Sequence, residues 1–143
     1  MPSHLDETTD FASILEGRSA PYNLDLGKVS HINSVGVKHW VEFFGRFAPN
    51  SINLLNCPPV IVDQMNLIAS FFAGMKITSV AAPFRCSVCS AEESIEIQVS
   101  GLGSLEVQVP QGQCLKCNGP LEFDDYPEEY FHFLDYVKLQ NAR

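Results

Sequence analysis

Basic residues are scarce in this chain of 143 residues. It has 9 Lys and Arg residues against 17 Asp and Glu residues, which gives a formal net charge of −8 at pH 7. The basic residues are scattered along the sequence and form no stripe that could displace counterions from a phosphate backbone. The composition therefore disfavours nucleic-acid binding, and we expect no nucleic-acid partner.

Long apolar runs are absent as well. The sequence has no run of about 18 apolar residues, and its N-terminus has no basic region followed by an apolar stretch, as a signal peptide would have. We therefore expect a cytoplasmic protein without membrane insertion. Because cytoplasmic thiols stay reduced, the cysteines are expected to bind a metal rather than to form disulfides.

The apolar content is that of a folded protein. Hydrophobic residues make up 45% of the chain and charged residues 18%, as is usual in globular domains. The length suffices for one ordinary hydrophobic core but not for two full-sized domains. We expect one globular domain and a small annex with a stabiliser of its own.

The first half alternates between helical and strand periodicity. We predict a short helix from Asp10 to Gly17, a strand at 22–26, an amphipathic helix after Gly36, a strand at 51–56, a helix opened by Pro58 and Pro59, and a strand at 76–81. This order predicts an α/β fold, a small sheet with parallel neighbours and helices packed on it. Residues 1–9 are polar, and we expect them to be frayed.

The second half contains two cysteine pairs with alternating apolar residues between them. We predict an inserted β-hairpin with strands around Ile95–Val99 and Leu105–Val109. A final helix is expected at about Pro127–Leu139, with an apolar face that returns to the main domain. The predicted segments are 10–82 for the α/β domain, 83–123 for the inserted ribbon and 124–143 for the C-terminal helix.

The cysteine pairs have the spacing of a metal site. They are Cys86 with Cys89 and Cys114 with Cys117, each of the form Cys-x2-Cys, with 24 residues between the pairs. Two such pairs supply a tetrahedron of thiolates, which is typical of structural Zn²⁺. Zinc is preferred over iron because no redox chemistry is needed, although the spacing by itself leaves iron open. The alternative is four cysteines without metal. Gly119 is expected to provide backbone freedom to the turn formed by the second cysteine pair.

Candidate catalytic groups are missing from the pattern. The sequence has no readable Ser-His-Asp set, phosphate-cradling glycine loop or inward carboxylate pair. Four thiolates would also fill every position on the metal and leave none for substrate. The fifth cysteine, Cys57, is expected to be a small core residue rather than a reactive thiol. We expect no enzyme activity.

The turn before the amphipathic helix resembles a known family. Three short segments carry the resemblance: Leu24-Asp25-Leu26, Val29 and Ile32-Asn33-Ser34-Val35-Gly36-Val37. Together with the helix that follows, they resemble the STAS domain of sulfate-transporter tails and bacterial anti-sigma factor antagonists, whose turn reads Asp-Ser-x-Gly. The resemblance covers roughly residues 10–82, and Asn33 stands where the family has aspartate.

The resemblance implies a signalling role for this turn. In the antagonist branch the serine is phosphorylated by a partner kinase, and its unmodified face binds that kinase or a sensor. By position the modified residue is Ser34, flanked by Asn33 and Gly36. The implied partner is a bacterial serine kinase, an anti-sigma factor or a larger signalling assembly. From the residues alone, Ser34 is expected to be the helix N-cap, worth about 1 kcal/mol, a role compatible with phosphorylation.

A structural role is the alternative. Family members usually begin with one or two strands before the first helix, whereas here only a polar tail precedes Asp10. An uncovered sheet edge would invite a partner strand or a homodimer. In this interpretation the zinc hairpin and the sheet edge make the contacts of an adaptor or homodimer, and Ser34 is only a cap.

Overall fold

The computed structural model describes residues 1–141, and the side chains of residues 1–137. The strands are β1 (His4–Leu5), β2 (Tyr22–Asp25), β3 (His31–Ile32), β4 (Ile52–Leu55), β5 (Lys76–Ile77), β6 (Ser79–Cys86), β7 (Glu92–Gln98), β8 (Gly112–Gln113) and β9 (Pro120–Phe123). The helices are α1 (Phe11–Leu15), α2 (Ser34–Phe44), α3 (Pro59–Leu67), α4 (Pro127–Tyr130) and α5 (Phe133–Asn141). The predicted α/β class is confirmed.

The predicted parallel sheet is formed by three strands. β4 lies between β2 and β5 and pairs with both in parallel. Its apolar residues alternate, so Ile52 and Leu54 are buried in the core. Asn53, on the other face, accepts a hydrogen bond from the hydroxyl of Thr78 and donates one to Asn23. One face of the sheet is therefore apolar and the other carries amides and hydroxyls.

The N-terminal residues are ordered, and the prediction that they are frayed is wrong. β1 pairs in parallel with β3, placing His4 opposite His31 and Leu5 opposite Ile32. Leu5 is fully buried. A turn follows, because the Asp6 carboxylate accepts hydrogen bonds from the N–H and hydroxyl of Thr8. A single apolar residue in a polar segment has no periodicity, so the sequence pattern did not reveal this strand.

The aromatic residues of α2 form the centre of the core. Trp40 is fully buried, and its indole N–H donates to the carbonyl of Phe71 at 2.7 Å. Its ring stacks on that of Phe71 with 4.7 Å between centroids. Phe11 from α1 and Phe44 contact the same indole. The predicted amphipathic helix is present, and α2 is fixed to the segment that follows α3.

A second sheet carries the cysteines. Its four antiparallel strands lie in the order β7-β6-β9-β8. β6 continues from β5 after Thr78 and runs through the predicted segment boundary at residues 82–83. Pro83 has no N–H, but its carbonyl accepts a hydrogen bond from Asp124, and the ladder with β7 continues past it. The first cysteine turn therefore follows directly after a strand that packs in the main core.

The predicted hairpin partner is not a strand. The segment around Leu105–Val109 has turn and irregular conformation, and β7 pairs with β6 instead. Leu105 is 91% exposed. Ser104 donates from its N–H and its hydroxyl to the Asp135 carboxylate, at 2.8 and 2.7 Å. These bonds tie the segment to α5 rather than to a neighbouring strand, so the prediction is wrong here.

The last predicted helix is divided in two. α4 and α5 are separated at Phe131–His132, and Asn66 of α3 bridges the break. Its amide donates to the carbonyl of Tyr130 at 3.1 Å and accepts from the N–H of Phe133 at 2.8 Å. Tyr130, Phe131 and Phe133 are buried in the shared core. Residues 142 and 143 of the predicted C-terminal segment lie outside the described residues.

None of the helices within residues 1–141 is both long enough and apolar enough to cross a bilayer.

Candidate metal centre

Two turns bring the four predicted cysteines together. Cys86 ends β6, Cys114 follows β8, and all four sulfur atoms lie within 4.8 Å of one another. The Sγ atoms of Cys86 and Cys117 are 3.4 Å apart, and those of Cys89 and Cys114 are 3.6 Å apart. A tetrahedral ion with metal–sulfur bonds of about 2.3 Å would place its sulfurs about 3.8 Å apart. The cluster could therefore hold one metal ion.

The two turns, which we call knuckle 1 (86–90) and knuckle 2 (114–118), share one backbone design. The carbonyl of Cys86 accepts from the N–H of Ser90 at 3.0 Å, and that of Cys114 accepts from Asn118 at 2.9 Å. Ser90 and Asn118 are both left-handed, with φ of 62° and 64°. Asparagine tolerates this region better than most residues. The repeat presents two sulfurs from each turn toward one point.

Gly119 has a different role from the one predicted. The left-handed residue of knuckle 2 is Asn118, and Gly119 has no positive φ. A Cβ built on Gly119 would lie 2.9 Å from Cγ2 of Val88 and 3.2 Å from the sulfur of Cys117. Gly119 therefore provides space where the two knuckles meet, and the prediction of backbone freedom is wrong.

Backbone N–H groups stabilise negative charge on the sulfurs. The N–H groups of Cys89 and Val88 both point to the sulfur of Cys86 at 3.4 Å, and that of Lys116 points to Cys114 at the same distance. Chiefly because of the bond from Cys89, the pKa of Cys86 falls to about 6. A thiolate at neutral pH is the form that binds a metal.

The fourth sulfur shows the effect of its neighbours on charge. The N–H of Gly119 lowers the pKa of Cys117, but the neighbouring sulfurs of Cys86, Cys89 and Cys114 outweigh it and raise that pKa to about 12. Four thiolates this close repel one another unless a positive ion lies between them. The donor set thus fits a thiolate-binding cation.

The outer side of the centre is open to solvent. Cys86 and Cys114 are buried, whereas Cys89 and Cys117 are exposed. The apolar residues at the tips of the knuckles are exposed too, Val88 at 70% and Leu115 at 92%. The knuckles therefore display apolar side chains around two accessible sulfurs.

At the turn before α2, the N-cap is one residue earlier than predicted. The side-chain carbonyl of Asn33 accepts from the N–H of Gly36 at 2.8 Å, which makes Asn33 the N-cap. Ser34 is the first residue of α2 and is exposed. The prediction that Ser34 caps the helix is wrong, because asparagine caps as well as serine does. The Ser34 hydroxyl lies on the surface at a helix N-terminus.

Gly36 is buried and is not accessible to a partner. A Cβ built on it would lie 2.2 Å from the carbonyl oxygen of Leu5. Any side chain there would push β1 away from α2. Of the three residues predicted for partner binding, Asn33 and Ser34 are on the surface and Gly36 is buried beneath the N-terminal strand.

Sequence reasoning missed a carboxylate at this turn. The amide N–H of Asn33 donates to Oε2 of Glu7 at 2.9 Å, and this bond is the main cause of a lowered Glu7 pKa. The STAS motif, which this turn resembles, has an acidic residue at the position of Asn33. Glu7 brings an acidic group to that side chain from a segment distant in sequence, and no spacing rule could have found it.

The remaining candidates lie outside the metal centre. Cys57 is fully buried, and burial raises the pKa of its thiol well above the usual range, as befits the predicted core residue. His4 and His31 stack across the strand pair with 4.5 Å between ring centroids. The metal-ligand cluster consists of four cysteines and includes no histidine.

Comparisons of the chain with protein-family models, with curated proteins and with solved structures give no match. The resemblance to the STAS domain therefore depends on the residues around Ser34, and any function must be argued from the geometry of this molecule.

Proposed function

We propose that this chain is a non-catalytic signalling module, a STAS-like domain with an embedded zinc ribbon, that binds a regulatory protein through the surface around Ser34. The observation that supports it is the exposed Ser34 hydroxyl at the start of an 11-residue helix. The partner would be a serine kinase, an anti-sigma factor or a larger signalling assembly in the bacterial cytoplasm.

Phosphorylation of Ser34 is the proposed switch. A phosphate there would meet the positive end of the α2 dipole and the free N–H groups of its first turn. The phosphate would also add about two negative charges next to Asn33, the residue that Glu7 contacts. Repulsion between phosphate and Glu7 would change the same surface that a partner reads, so modification would control binding.

Zinc is the proposed metal. Four thiolates in two knuckles are the usual donor set of structural zinc, and a ribbon without a redox role has no need of iron. Because all four positions would be filled by sulfur, the ion would shape the knuckles rather than activate water. The proposal of a non-enzymatic role follows from that filled coordination.

The test is partner capture from an extract of the native host, with the zinc-loaded chain as bait and mass spectrometry as readout. Ser34→Glu should lose the partner, whereas Ser34→Ala should retain it. Ser100→Glu is the matched control, since Ser100 is exposed in a loop outside the proposed surface. Retention of every partner by Ser34→Glu would refute the Ser34 surface.

A second candidate function is an adaptor or homodimer that uses the knuckles. The exposure of Val88 and Leu115 supports it, because apolar side chains at 70% and 92% exposure on adjacent turns are available for contact with a partner. Leu115→Asp should then abolish partner capture or self-association, measured by sedimentation. Leu105→Asp is the control, since Leu105 is 91% exposed away from the knuckles.

A further inference from the structure

Strand β7 forms one edge of the cysteine-bearing sheet. It is 7 residues long, and within the described part of the chain its strand neighbour is β6 alone. The strand at the opposite edge, β8, has 2 residues. An edge strand presents a row of backbone N–H and C=O groups to whatever lies beside it. β7 is the longer of the two edge strands and offers the longer row.

Alternate residues of β7 turn their backbone groups away from β6. Ser94 lies opposite Pro83, which has no N–H and whose carbonyl accepts from Asp124 on the other side of β6. Ala81, opposite Glu96, likewise donates to Cys57 on that side. Bonded and non-bonded pairs alternate in an antiparallel ladder, so every second residue of β7 has outward backbone groups. Among the described residues no other element bonds to these groups. The outward residues are Glu92, Ser94, Glu96 and Gln98.

The β7 edge is open to solvent. All four outward residues are exposed, whereas Ile97, on the other face, is buried. The segment 105–109 follows β7 in the sequence and could cover the edge, but it forms no ladder with β7. Ser104, just before that segment, is bonded to the Asp135 carboxylate, and Val107 packs against the core. The chain therefore leaves the outward groups of β7 available.

The side chains beside the edge are mostly acidic. Residues directly opposite one another in a ladder have side chains on the same face. The face of the outward residues thus carries Glu92 and Glu96 from β7, Glu122 from β9 and Asp124 after it. Arg85 is the one basic residue in the four strands, and it already pairs with Glu92 at 2.7 Å and with Asp124 at 3.5 Å. No ion pair within residues 1–137 involves Glu96. The face therefore has an excess of negative charge.

This charge distinguishes between possible occupants of the edge. A second copy of the chain would bring Glu92 and Glu96 close to the same two residues, and each copy has a formal charge of −8. Like charges on paired strands are destabilising, so self-pairing is disfavoured. A segment with positive side chains on this face would gain electrostatic attraction in addition to the backbone hydrogen bonds of an added strand.

We propose that the β7 edge binds an extended segment of a partner protein that carries arginine or lysine at alternate positions. The segment extends the sheet by one strand and bonds to the outward N–H and C=O groups. Its basic side chains lie on the acidic face, near Glu96. The site uses neither Ser34 nor the tips of the knuckles, so it does not depend on either function proposed above.

The test is an NMR titration of the metal-loaded full chain with the capped peptide Arg-Thr-Arg-Thr-Arg-Thr-Arg. Saturable shifts and slower hydrogen exchange are expected at the amides of Ser94, Glu96 and Gln98, which gain acceptors. The amides of Ile95 and Ile97 face β6 and should exchange as before. Capped Arg-Arg-Arg-Arg-Thr-Thr-Thr has the same charge without the alternation and should bind about tenfold more weakly or worse. Equal affinity for both peptides, or unchanged exchange at Ser94, would overturn the proposal.

A proline variant tests the backbone pairing itself. Ser94→Pro removes an N–H that no described group of this chain accepts, and proline is tolerated in edge strands where the N–H faces solvent. Peptide binding should weaken about tenfold or more, whereas Ser94→Ala, which keeps the N–H, should bind like the parent. Should Ser94→Pro fail to fold, exchange of the Ser94 amide in the unmodified chain decides. Shifts of the same amides with protein concentration alone would show that a second copy occupies the edge and would contradict the proposal.

Discussion

Strand β6 runs through two regions that are held together by different forces. In its first half Val80 and Ala82 are fully buried in the core that also contains Leu54 and Trp40. At its far end it reaches Cys86, where four sulfur atoms converge. The first region is stabilised chiefly by hydrophobic burial, whereas the second has a cluster of sulfurs that could be joined by one metal ion. One strand thus connects a hydrophobic core with a candidate metal site.

Metal removal should have the largest effect and should separate the two regions. A chelator, or Cys89→Ser, is expected to abolish the order of both knuckles, because the metal–sulfur bonds that would join the two turns are lost. The α/β core should remain folded. Hydrogen exchange should show lost protection at 86–90 and 114–118, with Val80 still protected.

Trp40 provides the matching control, since it is the chain's single tryptophan and is buried in the α/β core. Its fluorescence should hardly change on chelation, and restored zinc should recover the knuckles. Simultaneous loss of tryptophan burial and knuckle protection would mean that the two regions form one cooperative unit.

Phe84→Ala should have the next largest effect and should destabilise both regions. Phe84 is 1% exposed, and its ring meets that of Phe123 edge-on at 5.6 Å, two residues before Cys86. A cavity of this kind typically costs about 3–5 kcal/mol. We expect a lower denaturation midpoint and a weaker metal affinity. Phe84→Leu should lower the midpoint and the affinity by smaller amounts. Unchanged metal affinity would show that β6 does not couple the regions.

The two regions also differ in how far the sequence determined them. The cysteine cluster followed from Cys-x2-Cys spacing because neighbouring residues make each knuckle. The strand partner of β7 did not follow from the sequence. Alternation at Ile95 and Ile97 shows which face of β7 is buried but not which strand pairs with it. Glu7 and Leu5 were missed for the same reason, since their contacts with Asn33 and Gly36 join distant segments. The N-cap was misplaced by one residue because Asn33 and Ser34 are both good caps.

Gly36→Ala tests the α/β region alone. The new methyl would lie 2.2 Å from the Leu5 carbonyl oxygen, so β1 must move. We expect a loss of about 1–3 kcal/mol in the free energy of unfolding, in the range of overpacking, with metal affinity unchanged. Gly17→Ala is a poor control because Gly17 has φ of 77°. Ser13→Ala, at an exposed position of α1, is the better reference and should change little.

The smallest expected effect concerns Glu7 and pH. The bond from Asn33 lowers the pKa of Glu7 in the folded chain, so the folded state holds its proton less tightly than the unfolded state. The stabilisation from Glu7 is therefore present above the unfolded pKa, about 4.3 for glutamate, and is lost as the pH falls through the folded value. Glu7→Gln should be less stable than the parent at pH 7, and the difference should shrink below about pH 4.3. Denaturation midpoints of both chains across this range give the measurement, with Glu16→Gln, at an exposed position after α1, as the control. A difference that does not change with pH would mean that the contribution of Glu7 to stability does not depend on its charge.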